Sequence, residues 1–428
     1  MTLNSSHNPK RFIIFSVFYT ARAYYPVLAI LFLDLGLSLD QFVLLNFIWA
    51  ATIFLFEVPS GALADIIGRR KLLITASVLM VIEMLCLLCA PRNGGMLLFS
   101  LCVINRVCSG LSEACASGAD EALAYDSLAK EGRTDAWDRL LASAMRWRSV
   151  GFVVAMIIGG VLYDPYLLNQ LLPGNLHLSA DLAHRLPVAM VLGQALICLF
   201  ITWRMIEPNK IADHAAVKAT FTHTIQLTLT TTRWVFTRPR ILAVLFIGVA
   251  IDSIARNFAT IDSSYFRLIG LPEWTYGFVG ATLGALGWFV PAIAKYLNNR
   301  FSLLANLAFV AAGTLLGLVA LIPAWPLYGI VPAMFLMTFM GFLAFTVSRV
   351  LHQEADSSRR ATVLSVKGLI FNLAYGLFSL GFAGLLTHFP DQPEGAALRS
   401  ALLWQVPFFA LITLGLFAWA SPFLRRKT

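Results

Sequence analysis

The sequence predicts an all-α, polytopic membrane protein with twelve transmembrane helices in two six-helix bundles. Of its 428 residues, 58% are hydrophobic and 13% are charged, whereas a soluble globular domain carries about 25% charged residues. The mean hydropathy of +0.75 agrees with this imbalance. A soluble chain with so few charges would lack the polar side chains to cover its surface, so we expect most of this chain to lie in a bilayer.

Twelve apolar stretches are long enough to cross a membrane, which requires about 20 mostly apolar residues. The first stretch is too long for the core of a signal peptide and no small-residue cleavage site follows it, so we interpret it as a membrane helix. The predicted spans are Phe12–Leu33, Gln41–Ser60, Leu72–Ala90, Met96–Ala122, Leu141–Leu162, Pro187–Ile206, Ile241–Leu268, Trp274–Leu297, Ser302–Pro323, Leu327–Val350, Thr362–His388 and Leu398–Phe423.

The basic residues of the connecting segments predict the orientation of the chain. With the N-terminus inside, the outer connections hold only Arg92, Arg185, Arg267 and Arg399, and the inner connections hold most of the others. Because basic loops stay in the cytoplasm, both termini are predicted to be cytoplasmic. This orientation accounts for the net charge of +9, so no nucleic-acid partner is expected.

The longest predicted inner connection follows the sixth span and divides the chain. We predict an N-terminal six-helix bundle over residues 1–206, a cytoplasmic linker over residues 207–240 and a C-terminal six-helix bundle over residues 241–428. The linker stretch Ala215–Phe236 is rich in threonine, with scattered basic and aromatic residues. This composition fits an amphipathic helix at the membrane interface, and it fits a plain linker equally well.

The connection after the second span contains an ordered set of glycines and charges. It reads GALADIIGRRK over residues 61–71. Gly61 is expected to let two helices approach closely, and Gly68 to supply the turn. Asp65 is expected at a helix end, where it can pair with Arg69 and with a neighbouring helix terminus.

This segment resembles the signature G-x-L-A-D-x-x-G-R-R/K of the major facilitator superfamily, and it occupies the loop in which that family carries it. The resemblance implies a cytoplasmic gate that locks the two halves together in the outward-facing state. Ile66 departs from the family, which often has arginine there, and this removes one charge. The predicted gate residues are Gly61, Asp65, Gly68, Arg69, Arg70 and Asp126, the last as a candidate partner of Arg69.

Two further segments support the resemblance. Arg106 and Gly110 of the fourth span look like the family's R-x-x-x-G element, whose arginine is linked to proton coupling in some members. The equivalent of the signature in the second half, Ala294–Arg300, keeps only Arg300, as expected of two related halves with one degenerate copy. The resemblance covers the whole chain in topology and spans two to five in motifs, and it implies a bacterial inner-membrane protein.

Ionisable side chains within the predicted spans are candidate functional residues, because each costs at least about 2.5 kcal/mol at the bilayer centre. Asp252 and Arg256 are spaced i, i+4, so one helix face carries both. This spacing fits a coupling site, and it fits a self-satisfied structural pair equally. The candidates for substrate binding or proton coupling are Arg22, Glu57, Glu83, Arg106, Glu113, Asp252 and Arg256.

These features favour a secondary active transporter that moves a small organic solute by alternating access and is coupled to protons. The deep arginines favour an anionic or zwitterionic substrate. The alternative is a drug–proton antiporter that exports amphipathic compounds, which the missing Gly-Pro pair in the fifth span disfavours. A receptor or scaffold that transports nothing is a further alternative.

The sequence offers no motif for other chemistry. It has neither a phosphate-binding loop of the G-x-x-x-x-G-K type nor an H-E-x-x-H pair, so ATP-driven transport and enzymatic activity are not expected. No cofactor and no metal ion are expected. The predicted partners are a small-molecule substrate, protons and the lipid bilayer, and the chain is expected to act as a monomer.

Overall fold

The computed structural model describes residues 7–173, 177–208, 226, 228–355, 360–389 and 392–425. Regular secondary structure in this part of the chain is entirely helical. The first half contains α1 (Asn8–Thr20), α2 (Leu28–Leu35), α3 (Leu39–Ile67), α4 (Arg69–Leu88), α5 (Gly95–Ala116), α6 (Ala119–Lys130), α7 (Trp137–Tyr163), α8 (Pro165–Leu171) and α9 (Ala180–Arg204).

The second half contains α10 (Pro239–Leu268), α11 (Tyr276–Leu286), α12 (Val290–Arg300), α13 (Leu303–Leu321), α14 (Ile330–Glu354), α15 (Arg360–Leu386) and α16 (Glu394–Leu424). Residues 228–236 of the predicted linker are also helical, whereas residues 209–225 and 227 lie outside the described part. The division into two domains and a linker therefore stays a prediction.

The helices confirm the predicted fold class. Within the described residues, eleven candidate spans are long and apolar enough to cross a membrane, and a twelfth results if the bent pair α11 and α12 is counted as one. The helix ends differ from the predicted ones: α3 continues through the signature segment to Ile67, and α9 begins at Ala180. Hydropathy underestimates the length of both helices, because their terminal turns are polar and fall outside the apolar stretch that defines a span.

The first span is interrupted at mid-depth, although the sequence predicts one continuous helix there. Between α1 and α2 the chain passes through irregular residues and a short 3-10 turn, Tyr25–Val27. Pro26 explains the break, since it has no N–H to donate to the backbone oxygen of Arg22 four residues earlier and its ring would clash with that oxygen in a continuous helix. Arg22 lies in this irregular stretch.

Two pairs of helices form the most extensive contacts between the halves in the described residues. α3 packs along α15, and α7 packs along α11. The contact between α7 and α11 is very close, because a Cβ atom added to Gly277 would lie 2.0 Å from the backbone oxygen of Met156. On the other side, a Cβ atom on Gly376 would lie 3.1 Å from that of Ala50. Small residues allow this approach between membrane helices.

The bundle has two ends, which we name by their residues. The basic face carries Asn8, the turn between α3 and α4, and the end of α9, and Asn8 donates hydrogen bonds to Ser127 and to the backbone of Ile206 there. The opposite face carries Asp34 and Arg267. The positive-inside pattern predicts that the basic face is cytoplasmic.

The signature segment is helical up to Ile67, so only its second glycine forms a turn. Gly68 has a φ of +94°, and an added Cβ would lie 2.7 Å from Glu207 Oε2. The close helix approach expected at Gly61 is wrong for the described residues, since an added Cβ meets none of their atoms within 4 Å. Asp65 is in the last turn of α3, and its side chain lies outside the described part.

Candidate functional site

A buried ion pair occupies the break in the first span. Arg22 and Glu83 form this pair, with side chains that are 3% and 0% exposed. Tyr24 supports the pair, because its hydroxyl accepts from Arg22 Nη1 at 3.1 Å and donates to Glu83 Oε1 at 3.4 Å. The sequence identifies both charges as candidates, but it does not predict that Arg22 of the break pairs with Glu83 of α4.

Arg106 lies beside this pair, without an ion pair of its own among the described residues. Its neighbour Asn105 donates to the backbone oxygen of Glu83 at 2.7 Å, which fixes α5 against α4. Arg106 is 6% exposed, and its guanidinium lies 4.6 Å from the centre of the Phe32 ring. Its Nε and Nη2 atoms are buried and have no hydrogen-bond partner among the described residues. Arg22, Glu83 and Arg106 are called the first-half cluster below.

A second cluster lies on α10 and α15. Arg256 pairs with Asp252 at 2.7 Å, as their spacing predicts, and donates to Asn372 Oδ1 at 3.0 Å. Its guanidinium lies 5.3 Å from the centre of the Tyr375 ring. These charges are less buried than Arg22 and Glu83, since Asp252 and Arg256 are 13% and 25% exposed.

Sequence reasoning missed a third charge of this cluster. Lys367 of α15 is half-buried, and its ammonium lies 5.3 Å from the centre of the Phe371 ring. It is close enough to Asp252 and Arg256 to interact with both charges. Its position inside the predicted span Thr362–His388, little more than one helical turn from the start, was the available signal. Asp252, Arg256 and Lys367 are called the second-half cluster below.

The other two carboxylates named from the sequence lie apart from the arginines. Glu57 of α3 faces α15, where a Cβ atom on Gly368 would lie 3.5 Å from its Oε1. Glu113 is exposed in the last turn of α5, close enough to Glu57 for their negative charges to repel. No hydrogen bond or ion pair in the described structure joins Glu113 to Arg106, although they share a helix.

At the basic face, contacts of the signature arginines reach Asp126, Glu207 and backbone atoms of the first half. Arg69 forms the expected ion pair with Asp126 and donates to the backbone oxygen of Ala122 at 3.1 Å. Glu207 accepts from the backbone N–H of Arg70 at 2.8 Å, so its carboxylate caps the start of α4. Sequence reasoning placed Glu207 in the linker and did not anticipate this capping contact.

The opposite face holds a network that sequence reasoning did not anticipate. Arg267 of α10 donates from both Nη atoms to Asp34 of α2, each at 2.8 Å. Arg267 also pairs with Glu273 at 2.5 Å, and the Tyr163 hydroxyl donates to Asp34 at 2.5 Å. His184 stacks on Tyr163 with ring centres 4.3 Å apart. We call Asp34, Tyr163, Arg267 and Glu273 the opposite-face latch.

Two backbone contacts reinforce the latch. The Ser263 hydroxyl of α10 accepts from the backbone N–H of Ala29 at 3.0 Å, and Asp164 accepts from that of Trp274 at 3.4 Å. In the described residues, every hydrogen bond and ion pair between the two halves lies at this face. The signal in the sequence was weak, since Asp34 and Arg267 are single charges at the ends of spans.

Comparison with known proteins gives one family. The model of the Major Facilitator Superfamily matches residues 12–379. No curated protein matches the chain.

Solved structures resemble the whole chain at low sequence identity. The nucleoside transporter NupG has a TM-score of 0.70 at 10% identity, and the alignment covers 100% of both chains. A bacterial homologue of the human lysosomal transporter Spinster, inward-facing and unoccupied, has a TM-score of 0.70 at 16% identity, covering 100% of this chain and 99% of the homologue. A D-xylose–proton symporter has a TM-score of 0.61 at 14% identity, covering 95% and 96%. At these identities the likeness establishes the fold.

Proposed function

This chain belongs to the Major Facilitator Superfamily, and we propose that it is a secondary active transporter that moves a small organic solute by alternating access. As a member of that superfamily it is a multi-pass membrane transporter and not an enzyme. We further propose that it lies in a bacterial inner membrane with both termini in the cytoplasm, acts as a monomer and is coupled to protons. The D-xylose–proton symporter among its structural neighbours supports the coupling.

The single observation that carries this proposal is the buried pair at the interruption of the first span. Transporters bind substrates and coupling ions near the bilayer midplane, where spanning helices are broken. Arg22 lies in such a break and is neutralised by Glu83 of another helix. Charges at this depth are costly and mark transport pathways in membrane proteins.

We propose that one of the carboxylates within the spans carries the coupling proton. An arginine next to a carboxylate stabilises its charged form, and burial disfavours that form. A carboxylate whose arginine turns to the substrate therefore gains affinity for a proton. Asp252 beside Arg256 fits this requirement, and Glu113 is the second candidate. The arginines also support an anionic or zwitterionic substrate.

The contacts between the halves support alternating access. A transporter of this kind closes one face at a time around a central site. The opposite-face latch joins the halves at one end, and we propose that this chain is closed there. The Spinster homologue of similar fold was solved in an inward-facing state. This supports an inward-facing state, closed at the opposite face, for this chain.

The test is flux in liposomes that contain the purified full-length chain. Uptake of a panel of labelled carboxylates and amino acids is measured with and without an inward pH gradient for the native chain, Glu113→Gln and Asp252→Asn. We expect gradient-driven accumulation by the native chain and its loss in at least one variant, with exchange preserved. Asp135→Asn is the matched control, because this carboxylate is 78% exposed in a short connection.

Two results would count against the proposal. Full gradient-driven accumulation in both variants would move the coupling site elsewhere, with Glu83 and Glu57 next to be tested, or would exclude proton coupling. An absence of flux for every compound, with or without a gradient, would contradict transport itself.

A further inference from the structure

The two deep clusters have the same charge balance. The first-half cluster contains two guanidinium groups, Arg22 and Arg106, and one carboxylate, Glu83. Arg22 and Glu83 are already paired with each other. The charge of Arg106 is therefore left over, in a group with two buried N–H positions that lack a partner among the described residues. A buried guanidinium without such partners costs free energy, which an anionic ligand would offset.

The second-half cluster repeats this arrangement on the other side of the interface. One carboxylate, Asp252, pairs with Arg256 and lies within electrostatic range of Lys367. Arg256 takes the direct ion pair, and the Lys367 ammonium has no ion pair or hydrogen bond among the described residues. One positive charge is again left over, in a side chain that is half-buried.

One aromatic residue, Tyr375 of α15, lies close to an arginine of each cluster. Arg256 lies over its ring, and Arg106 of the other half is close enough to interact with its hydroxyl. The remaining carboxylates of this region, Glu57 and Glu113, pair with neither Arg106 nor Lys367 in the described structure. Glu113 is in the last turn of α5, two turns from Arg106 towards the basic face.

Resting on the proposed function, we propose that the substrate is a small organic molecule with two anionic groups, one bound by Arg106 and the other by Lys367 with Arg256. Charge-assisted hydrogen bonds from guanidinium and ammonium groups are the strong contacts that carboxylates and phosphates receive in proteins. Phe32 and Tyr375 would flank the carbon skeleton between them. A dianion would neutralise both clusters together and link the two halves.

Binding to the native chain is the first test, because it needs no variant. The probes are dicarboxylates from malonate to adipate and the corresponding phosphono-carboxylates, each compared with the monocarboxylate of equal length. Binding is followed by thermal shift and calorimetry on the full chain in nanodiscs. We expect at least one two-anion probe to bind at least about tenfold more tightly than its monocarboxylate, as an additional charge-assisted contact predicts.

Variants then test which side chain binds each anionic group of the probe. Arg106→Gln and Lys367→Gln should each lower the affinity for the preferred probe by at least about tenfold, to that of the monocarboxylate. Arg106→Lys keeps the charge and should retain part of the preference, which separates a binding role from loss of folding. Arg146→Gln is the control, because Arg146 is exposed on α7 outside both clusters, and it should bind like the native chain.

The proposal is overturned if no two-anion probe exceeds its monocarboxylate, or if folded Arg106→Gln and Lys367→Gln keep native affinity. Flux distinguishes this failure from failure of the proposed function. Gradient-driven uptake of a neutral, cationic or singly charged solute would overturn the two-anion proposal and leave the transporter assignment intact. An absence of flux for every solute would contradict both.

Discussion

The two faces of the bundle are held by different kinds of contact. At the opposite face, Asp34 of the first half binds Arg267 of the second half through two hydrogen bonds. At the basic face, the described contacts of Arg69 and Arg70 reach Asp126, Glu207 and backbone atoms, all in the first half. Paired guanidinium–carboxylate contacts fix both distance and orientation, so the first arrangement holds the halves together and the second orders one half.

This difference bears on the role of the signature segment. The resemblance implies that the segment locks the halves when the transporter is open to the outside. Here the latch joins the halves at the opposite face, whereas the side chain of Asp65 in the segment lies outside the described part. We infer that the segment and the latch are engaged in alternate states, and the following changes test that contrast.

The largest effect is expected for Arg267→Gln. The change removes the inter-half ion pair and leaves Asp34 and Glu273 as neighbouring negative charges. Because truncating one partner of a hydrogen-bonded charge pair is costly, we expect flux to fall by at least about tenfold. Labelling of a cysteine at position 263 by an impermeant maleimide, in a background without the native cysteines, should increase.

Arg399→Gln is the matched control for that measurement. Arg399 is an opposite-face arginine that contacts the backbone of Ile322 within the second half at 3.1 Å. Native labelling and flux are expected for Arg399→Gln. Equal labelling of the Arg267 variant and the native chain would show that the latch does not hold the face closed.

The next effect concerns the basic face. Asp65→Asn should reduce flux severalfold while expression stays near normal, because the resemblance gives this carboxylate a role in the gate. We expect labelling at position 263 to stay at or above the native level, since loss of the gate cannot release the latch. Native flux in this variant would contradict the gate.

A smaller effect is expected for Tyr163→Phe. The change removes one hydrogen bond to Asp34 and keeps the ring that stacks on His184. A single hydrogen bond to a charged group contributes about 1.5 kcal/mol or more when buried, and partial exposure lowers this value. We expect a change in labelling at position 263 in the same direction as for Arg267→Gln but smaller. A change as large as that of Arg267→Gln would locate the main closing contact at the tyrosine.

The smallest effect is expected for Glu207→Gln. Its carboxylate caps the start of α4 through the backbone N–H of Arg70, and a negative charge at a helix N-terminus contributes about 0.3–1 kcal/mol. We expect a slightly lower melting temperature and flux within about twofold of native, in line with that small contribution. A loss of flux as large as that of Asp65→Asn would extend the gate to the end of α9.

Individual residues show why some features of the site were predictable. Asp252 and Arg256 are one helical turn apart, so any helix through them produces the pair. The contact between Arg69 and Asp126 was anticipated because a known motif directed attention to that turn. Lys367 was overlooked, although a lysine inside an apolar span is a visible signal. Its importance follows from its proximity to Asp252, which lies on another helix.

The sequence by itself determined that the chain lies in a lipid bilayer, and it determined the apolar spans, the signature segment and the ion pair on α10. Hydropathy and helical periodicity are local properties of the chain, so they can be read without the tertiary structure. Only the tertiary structure decided that Arg22 pairs with Glu83, that Arg106 lacks a counterion among the described residues, and that Asp34 meets Arg267. Each of these outcomes depends on which helix faces arrive next to each other. Helix packing sets those positions, and charges far apart in the chain then pair according to distance and burial rather than sequence spacing.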